Sequence, residues 1–278
     1  MTFLIKRHCL WLATLCLCVT LQAQQDSEQP DAPLNGVVER KLKLEKRMLP
    51  YDNLREADVV WEKRIWRVID VREKMNLPFT YPKRPLFSIL LEAASQGNMI
   101  VYENEEFQYP LSLEEMEVQT SFSDTLWITN PDDLTEKQTV IRTDIDPNDV
   151  KRFRLKEVWY FDEESASMKV RILGIAPVRE VLDDFGNFKY EQTLFWIYYP
   201  HARQLLAREQ AYTRGNDAAP TTWEDIFEMR YFSSYVYKQS NERDERIQDY
   251  LAGGTDRLLE GEKIEQELFN FEQDLWSY

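Results

Sequence analysis

Residues 152–178 read RFRLKEVWYFDEESASMKVRILGIAPV. From Arg152 to Phe161, the apolar Phe153, Leu155, Trp159 and Phe161 fall on one face of an extended chain, and Arg152, Arg154 and Lys156 fall on the other. That is the two-residue repeat of a half-buried strand. Asp162 to Ser167 makes a polar turn, and Lys169 to Val178 alternates again with Val170 and Ile172 inward. Asp183-Asp184-Phe185-Gly186-Asn187 supplies the next turn, and Leu194 to Tyr199 is a continuous apolar run of strand length. Three consecutive strands with short links predict an antiparallel β-meander over about residues 150–200.

Working outward, the flanks read as helices. Upstream, Trp61, Ile65, Val68 and Ile69 recur at helical spacing up to Leu77-Pro78, where proline disfavours helix in the residue before it. Pro85 opens a second helix through Phe87, Leu90, Leu91 and Ala94 to Gly97, and Met99 to Tyr102 reads as a short strand. Downstream, a helix is expected from His201 to Tyr212, with Ala202, Leu205 and Leu206 inward. Thr222-Trp223-Glu224-Asp225 has capping-box spacing ahead of Ile226, Phe227, Arg230 and Tyr235. Ile264, Leu268, Phe271 and Leu275 form one stripe of a last amphipathic helix. The expected class is α+β: the meander packed with N-terminal and C-terminal helices, with no linker inside 51–278 that forces a split.

Composition narrows function. The chain has 278 residues, 34 Lys and Arg against 49 Asp and Glu, and only 3 cysteines and 2 histidines. Cys9, Cys16, Cys18 and His8 all lie in the first 20 residues. There Lys6 and Arg7 precede the uncharged run CLWLATLCLCVTLQA, too short to span a bilayer but suited to a secretory signal. Residues 1–23 therefore read as a signal peptide cut after Ala23. Its removal leaves one histidine, no thiol and a net charge moved from −15 to −17. This excludes disulfides, cysteine nucleophiles and Cys- or His-clustered metal sites from the mature chain. It also disfavours nucleic acid and anionic lipid as partners. No cysteine follows the small residue that a lipid-anchoring signal needs, and no later segment is apolar enough for direct membrane insertion. Residues 24–50 read as a flexible arm. It carries the one basic cluster, Arg40, Lys41, Lys43, Lys46 and Arg47, which is either a solvated face or a dock for an acidic partner.

Candidate chemistry meets a bland alternative at each position. Asp144-Ile145-Asp146-Pro147-Asn148-Asp149 alternates oxygens as a calcium loop does. However, the glycine position holds Asp149 and the bidentate-glutamate position holds Leu155, so a turn is the better reading. His201 has no G-x-S-x-G partner and reads as a surface or capping residue. Adjacent acids such as Glu105-Glu106, Asp132-Asp133, Glu163-Glu164 and Asp183-Asp184 follow from composition rather than from a glycosidase geometry. The aromatic runs around Trp159 and Phe195-Trp196 could form a sugar-stacking platform, though on strands they more often pack a core. No catalytic, cofactor-binding or metal-binding residue is expected, and the chain is not read as an enzyme.

Four segments then carry a resemblance: VIDVREKMNLPFTYP (68–82), EVWYFDEESASMKVRILGIAPV (157–178), LFWIYYPHARQLLA (194–207) and the ending from IQDYLAGG to LFNFEQDLWSY (247–278). In order and spacing they resemble the GldN, or PorN, family of gliding-motility proteins, a core component of the type IX secretion system, over about residues 50–278. The resemblance implies a non-catalytic periplasmic subunit that self-associates in a ring with a GldK- or PorK-like outer-membrane lipoprotein. It also implies contact with the periplasmic region of a GldM- or PorM-like protein. Large aromatics dominate interfaces, so Trp276 and Tyr278 join the basic cluster as candidate partner contacts. A periplasmic carbohydrate-binding or carbohydrate-active protein is the alternative.

Overall fold

A computed structural model of the chain describes residues 48–129, 136–183, 185–216 and 219–275. The signal peptide, most of the arm with Arg40, Lys41, Lys43, Lys46 and Arg47, and the terminal Trp276 and Tyr278 lie outside the described residues.

The architecture is α+β. The main antiparallel sheet follows the order β2-β8-β6-β5-β1-β9, with β7 also paired to β6. Its strands are β1 (Val59–Asp70), β2 (Val101–Tyr102), β5 (Val150–Asp162), β6 (Ser167–Leu182), β7 (Phe188–Thr193), β8 (Trp196–Tyr198) and β9 (Tyr235–Gln239). A separate hairpin pairs β3 (Ser121–Thr129) with β4 (Glu136–Asp144). The helices are α1 (Leu86–Ser95), α2 (Leu113–Thr120), α3 (Tyr199–Leu206), α4 (Trp223–Glu228), α5 (Ile247–Tyr250) and α6 (Gly254–Leu275).

The meander forms where the alternation puts it, with one change. β5 and β6 pair through the expected turn, but the expected third strand, Leu194–Tyr199, is a strand only over Trp196–Tyr198, and an additional strand, β7, precedes it. β7 pairs residues 178–182 of β6, and β8 pairs Gly174 and Ile175 of the same strand. Asp183 closes the β6–β7 turn, its carboxylate accepting from the Phe185 and Asn187 amides at 3.0 and 2.7 Å, with Gly186 at a φ of 79°.

The expected helix around Trp61–Ile69 is a strand. β1 is paired on both sides, to β5 and β9, and buried on both faces: Ile65 and Ile69 pack one side, Trp66 and Val68 the other. A strand covered on both faces loses its alternation, so the four-then-three spacing arose by coincidence. The β-branched and tryptophan content of Val59–Ile69 was the better guide. Tyr235, expected on a helix, likewise belongs to β9. The helix after Pro200 ends at Leu206 rather than Tyr212.

The sheet carries two larger apolar clusters and a third, small one of Trp66, Ala176 and Trp196. The largest gathers Ile69, Phe79, Phe153, Leu155, Ile175, Trp223 and Phe227 with α1, α3 and α4. The second gathers Ile65 of β1, Val236 of β9, Ile247 of α5, and Ile264 and Leu268 of α6, with Trp61 stacked on Phe271 at 4.6 Å between ring centres. Helix α6 sits close because it carries glycine where it crosses the sheet. A Cβ at Gly261 would lie 2.7 Å from the Val236 carbonyl oxygen.

Candidate interaction surface

Strand register places Asp70 opposite Arg152, Val68 opposite Arg154 and Trp66 opposite Lys156, with Tyr235 of β9 opposite Val68. Directly opposed residues share a face, so the basic side of β5 lies beside acids and aromatics from β1 and β9. The alternation identified this face but not what covers it. It is a half-buried ionic and aromatic layer, not a solvated one.

One half of the layer is an arginine network. Asp70 accepts from Arg72 at 2.5 Å and from Arg152 at 3.3 Å. Glu180 lies 3.4 Å from both guanidinia. Glu191, reaching across from β7, pairs with Arg152 and, at 3.1 Å, with Arg154. Arg154 also donates to Thr193 Oγ1 at 2.8 Å and lies over the Tyr237 ring at 5.4 Å, and its Nε is buried without an acceptor. Burial pushes the Asp70 carboxyl up, but hydrogen bonds from Arg72 and the charges of Arg72 and Arg152 outweigh it and hold the group at about 2. Burial also pushes the Tyr237 phenol up.

The other half is built on Trp66. Lys238 Nζ lies 4.5 Å and Lys156 Nζ 5.7 Å from its ring centre, and Lys156 also faces Phe107 at 5.5 Å. Lys156 donates to the Glu105 carbonyl at 2.7 Å, and Lys238 pairs with Glu105 at 3.3 Å and Asp244 at 2.8 Å. Burial lowers the Lys156 pKa, against the opposing charge of Glu105. Gly174 makes this layer possible, since a Cβ there would meet the Phe107 ring at 2.7 Å.

Between the arginine network and the start of α6 lies a cleft of about 260 Å³. Arg152, Arg154, Arg246 and Arg257 line it against a single carboxylate, Glu191, and Val68, Ile247 and Leu258 supply apolar wall. Such a surface can hold carboxylates through charge-assisted, bidentate hydrogen bonds.

A buried ion pair fixes the sheet's opposite face. Glu157, fully buried, accepts from Arg230 at 2.8 and 3.2 Å and from the Trp159 indole at 3.2 Å. Arg230 follows α4 in the left-handed region, φ 54°, with the Tyr231 amide bonded back to Ile226 at 2.8 Å. This is a Schellman ending, with arginine where glycine is usual. Near the described N-terminal end, Tyr51 donates to Glu228 at 2.8 Å while Arg203 covers its ring at 3.9 Å, tying the chain entry to α3 and α4.

The remaining candidates take structural positions. His201 is exposed at the start of α3 with its ring 4.8 Å from Tyr198, beside a groove of about 430 Å³ between α1 and α3. Asp146 caps a short 3-10 turn by accepting from the Asn148 amide at 2.9 Å, which is the turn reading of the Asp144–Asp149 stretch. Phe195 and Trp196 are 1% and 4% exposed and so offer no stacking platform.

No curated protein matches the chain in a whole-sequence comparison. The family model for the gliding motility associated protein GldN matches residues 54–277, from the start of β1's approach to the end of α6. That span takes in all three apolar clusters, the arginine network and the tryptophan–lysine layer, and on it the chain belongs to the GldN family of gliding-motility proteins.

Proposed function

We propose that the chain is a non-catalytic periplasmic subunit of the type IX secretion and gliding machinery, exported by residues 1–23 and tethered by the 24–50 arm. In this reading it self-associates in a ring with a GldK- or PorK-like outer-membrane lipoprotein and touches the periplasmic region of a GldM- or PorM-like protein. The observation that carries the proposal is the family match over residues 54–277.

Two structural features support it. The conspicuous charged groups are engaged in ion pairs and cation–π contacts that stiffen the sheet, as a scaffold requires. No helix of the described residues is long and apolar enough to cross a membrane, so a lipidated partner would supply the attachment. The carbohydrate alternative loses the Phe195–Trp196 part of its platform to the core.

The test is a pull-down of the tagged protein from the native envelope fraction, sized on a gradient and identified by mass spectrometry. Recovery in a very large particle with a stoichiometric lipoprotein supports the ring-subunit reading. Recovery as a free monomer overturns it.

A further inference from the structure

We infer that the arginine cleft at the start of α6 binds an acidic peptide segment of a partner protein, with carboxylates set between guanidinia and an apolar side chain seated on the wall between them. This goes beyond the subunit reading and does not depend on it.

The charge distribution is the first argument. The whole chain carries −15, yet this cleft is lined by four guanidinia and one carboxylate, with Asp70 and Glu180 beside it pairing Arg152. Glu191 is already held by Arg152 and Arg154. Arg257 donates to the carbonyls of Ala252 and Gly253 at 2.7 and 3.3 Å. Among the described residues neither the Arg257 nor the Arg246 guanidinium pairs with a carboxylate, whereas Arg154 is held by Glu191 and Thr193. A carboxylate entering the cleft would pair with the Arg246 and Arg257 guanidinia, and the partly buried setting strengthens those bonds.

Shape and chemistry decide what bears the carboxylate. The cleft, at about 260 Å³, accommodates a few side chains rather than a folded surface, and beside the arginines its apolar wall is chiefly Leu258, 54% exposed, with Val68 and Ile247 buried behind. A segment with an apolar side chain between acidic ones matches that lining. A bare phosphate leaves the apolar part uncovered. An anionic lipid surface would have to approach a strongly acidic molecule, and the net repulsion opposes it.

The experiment is fluorescence anisotropy of a fluorescein-labelled peptide of alternating glutamate and leucine titrated with the full chain at about 50 mM salt, where charge attraction is least screened. The expected result is saturable binding with a Kd on the order of 100 μM. Arg246→Glu with Arg257→Glu should weaken it about tenfold or more. Leu258→Ala, at an exposed position, should weaken it by a smaller factor without a salt dependence of its own. Should the double variant fail to fold by circular dichroism, Arg246→Gln alone, on an exposed side chain, carries the same expectation at about threefold. The proposal is overturned if the glutamine-for-glutamate peptide binds as well, if charge reversal leaves binding unchanged, or if millimolar phosphate displaces the peptide completely. None of these results would alter recovery of the protein in a large envelope particle, so the two readings fail separately.

Discussion

Replacing Arg230 isolates one buried charge and one strained backbone position in a single side chain. Glu157 is fully buried, and two of its three hydrogen bonds come from Arg230. Arg230→Ala leaves that carboxylate with the Trp159 indole alone, and breaking a buried pair from one side costs about 3–5 kcal/mol. Alanine inherits the φ of 54°, whereas glycine adopts it freely. Arg230→Gly should therefore lose about 1 kcal/mol less than Arg230→Ala. At an ordinary position the order is reversed, because glycine loses more backbone entropy. Glu157→Gln added to Arg230→Gly removes the unpaired charge and should cost less than the two single changes together. Urea unfolding followed by tryptophan fluorescence reads the four variants and the parent on one scale, provided the slopes agree. The argument is refuted if Arg230→Ala costs under about 1 kcal/mol, if glycine proves worse than alanine, or if the double variant is simply additive.

Three further outcomes are expected. Gly261→Ala gains helix propensity of about 1 kcal/mol but drives a Cβ toward a backbone oxygen 2.7 Å away, so it should be net destabilising and should speed amide exchange in α6 before the rest of the molecule. Gly174→Ala pushes on the Phe107 ring and should cost about 1–3 kcal/mol, partly recovered by Phe107→Leu. Asp70, held at about 2 against an unfolded value near 3.8, contributes stability that is complete above about pH 5 and lost as pH falls through about 2. Asp70→Asn should flatten the acid limb of a thermal-melt profile by about 1 kcal/mol after allowing for screening, and an unchanged limb would discard the assignment.

How much of this was legible varies with how locally each feature is encoded. The two faces of β5 could be read directly, because one face meets apolar neighbours and the other meets ions. β1 was not legible as a strand, since packing on both sides erases the periodicity that distinguishes strand from helix. β7 (Phe188–Thr193) was missed because its residues are largely exposed and polar, whereas Ser112 and Glu115 at the start of α2 offered a capping-box signal that was not used. The cleft could not have been found locally. Arg154 meets Glu191, 37 residues on, only because β7 lies alongside β6 in a particular register, and a slip of one residue would put them on opposite faces. Arg230 gave a different kind of signal, a bulky residue where a helix ending favours glycine, which becomes meaningful only when Glu157 is seen beneath it.

β1 runs beneath the two larger apolar clusters, Ile65 in one and Ile69 in the other, and is zipped to β5 along nearly its whole length. A load applied to α6 and resisted by the α1, α3 and α4 side would pass lengthwise through that ladder. Its hydrogen bonds lie across the strand axis and would share the strain together instead of opening one after another. The two-sided burial that disguised this strand in the sequence thus makes it the molecule's tie-rod, stiff along the line that joins its two hydrophobic anchorages.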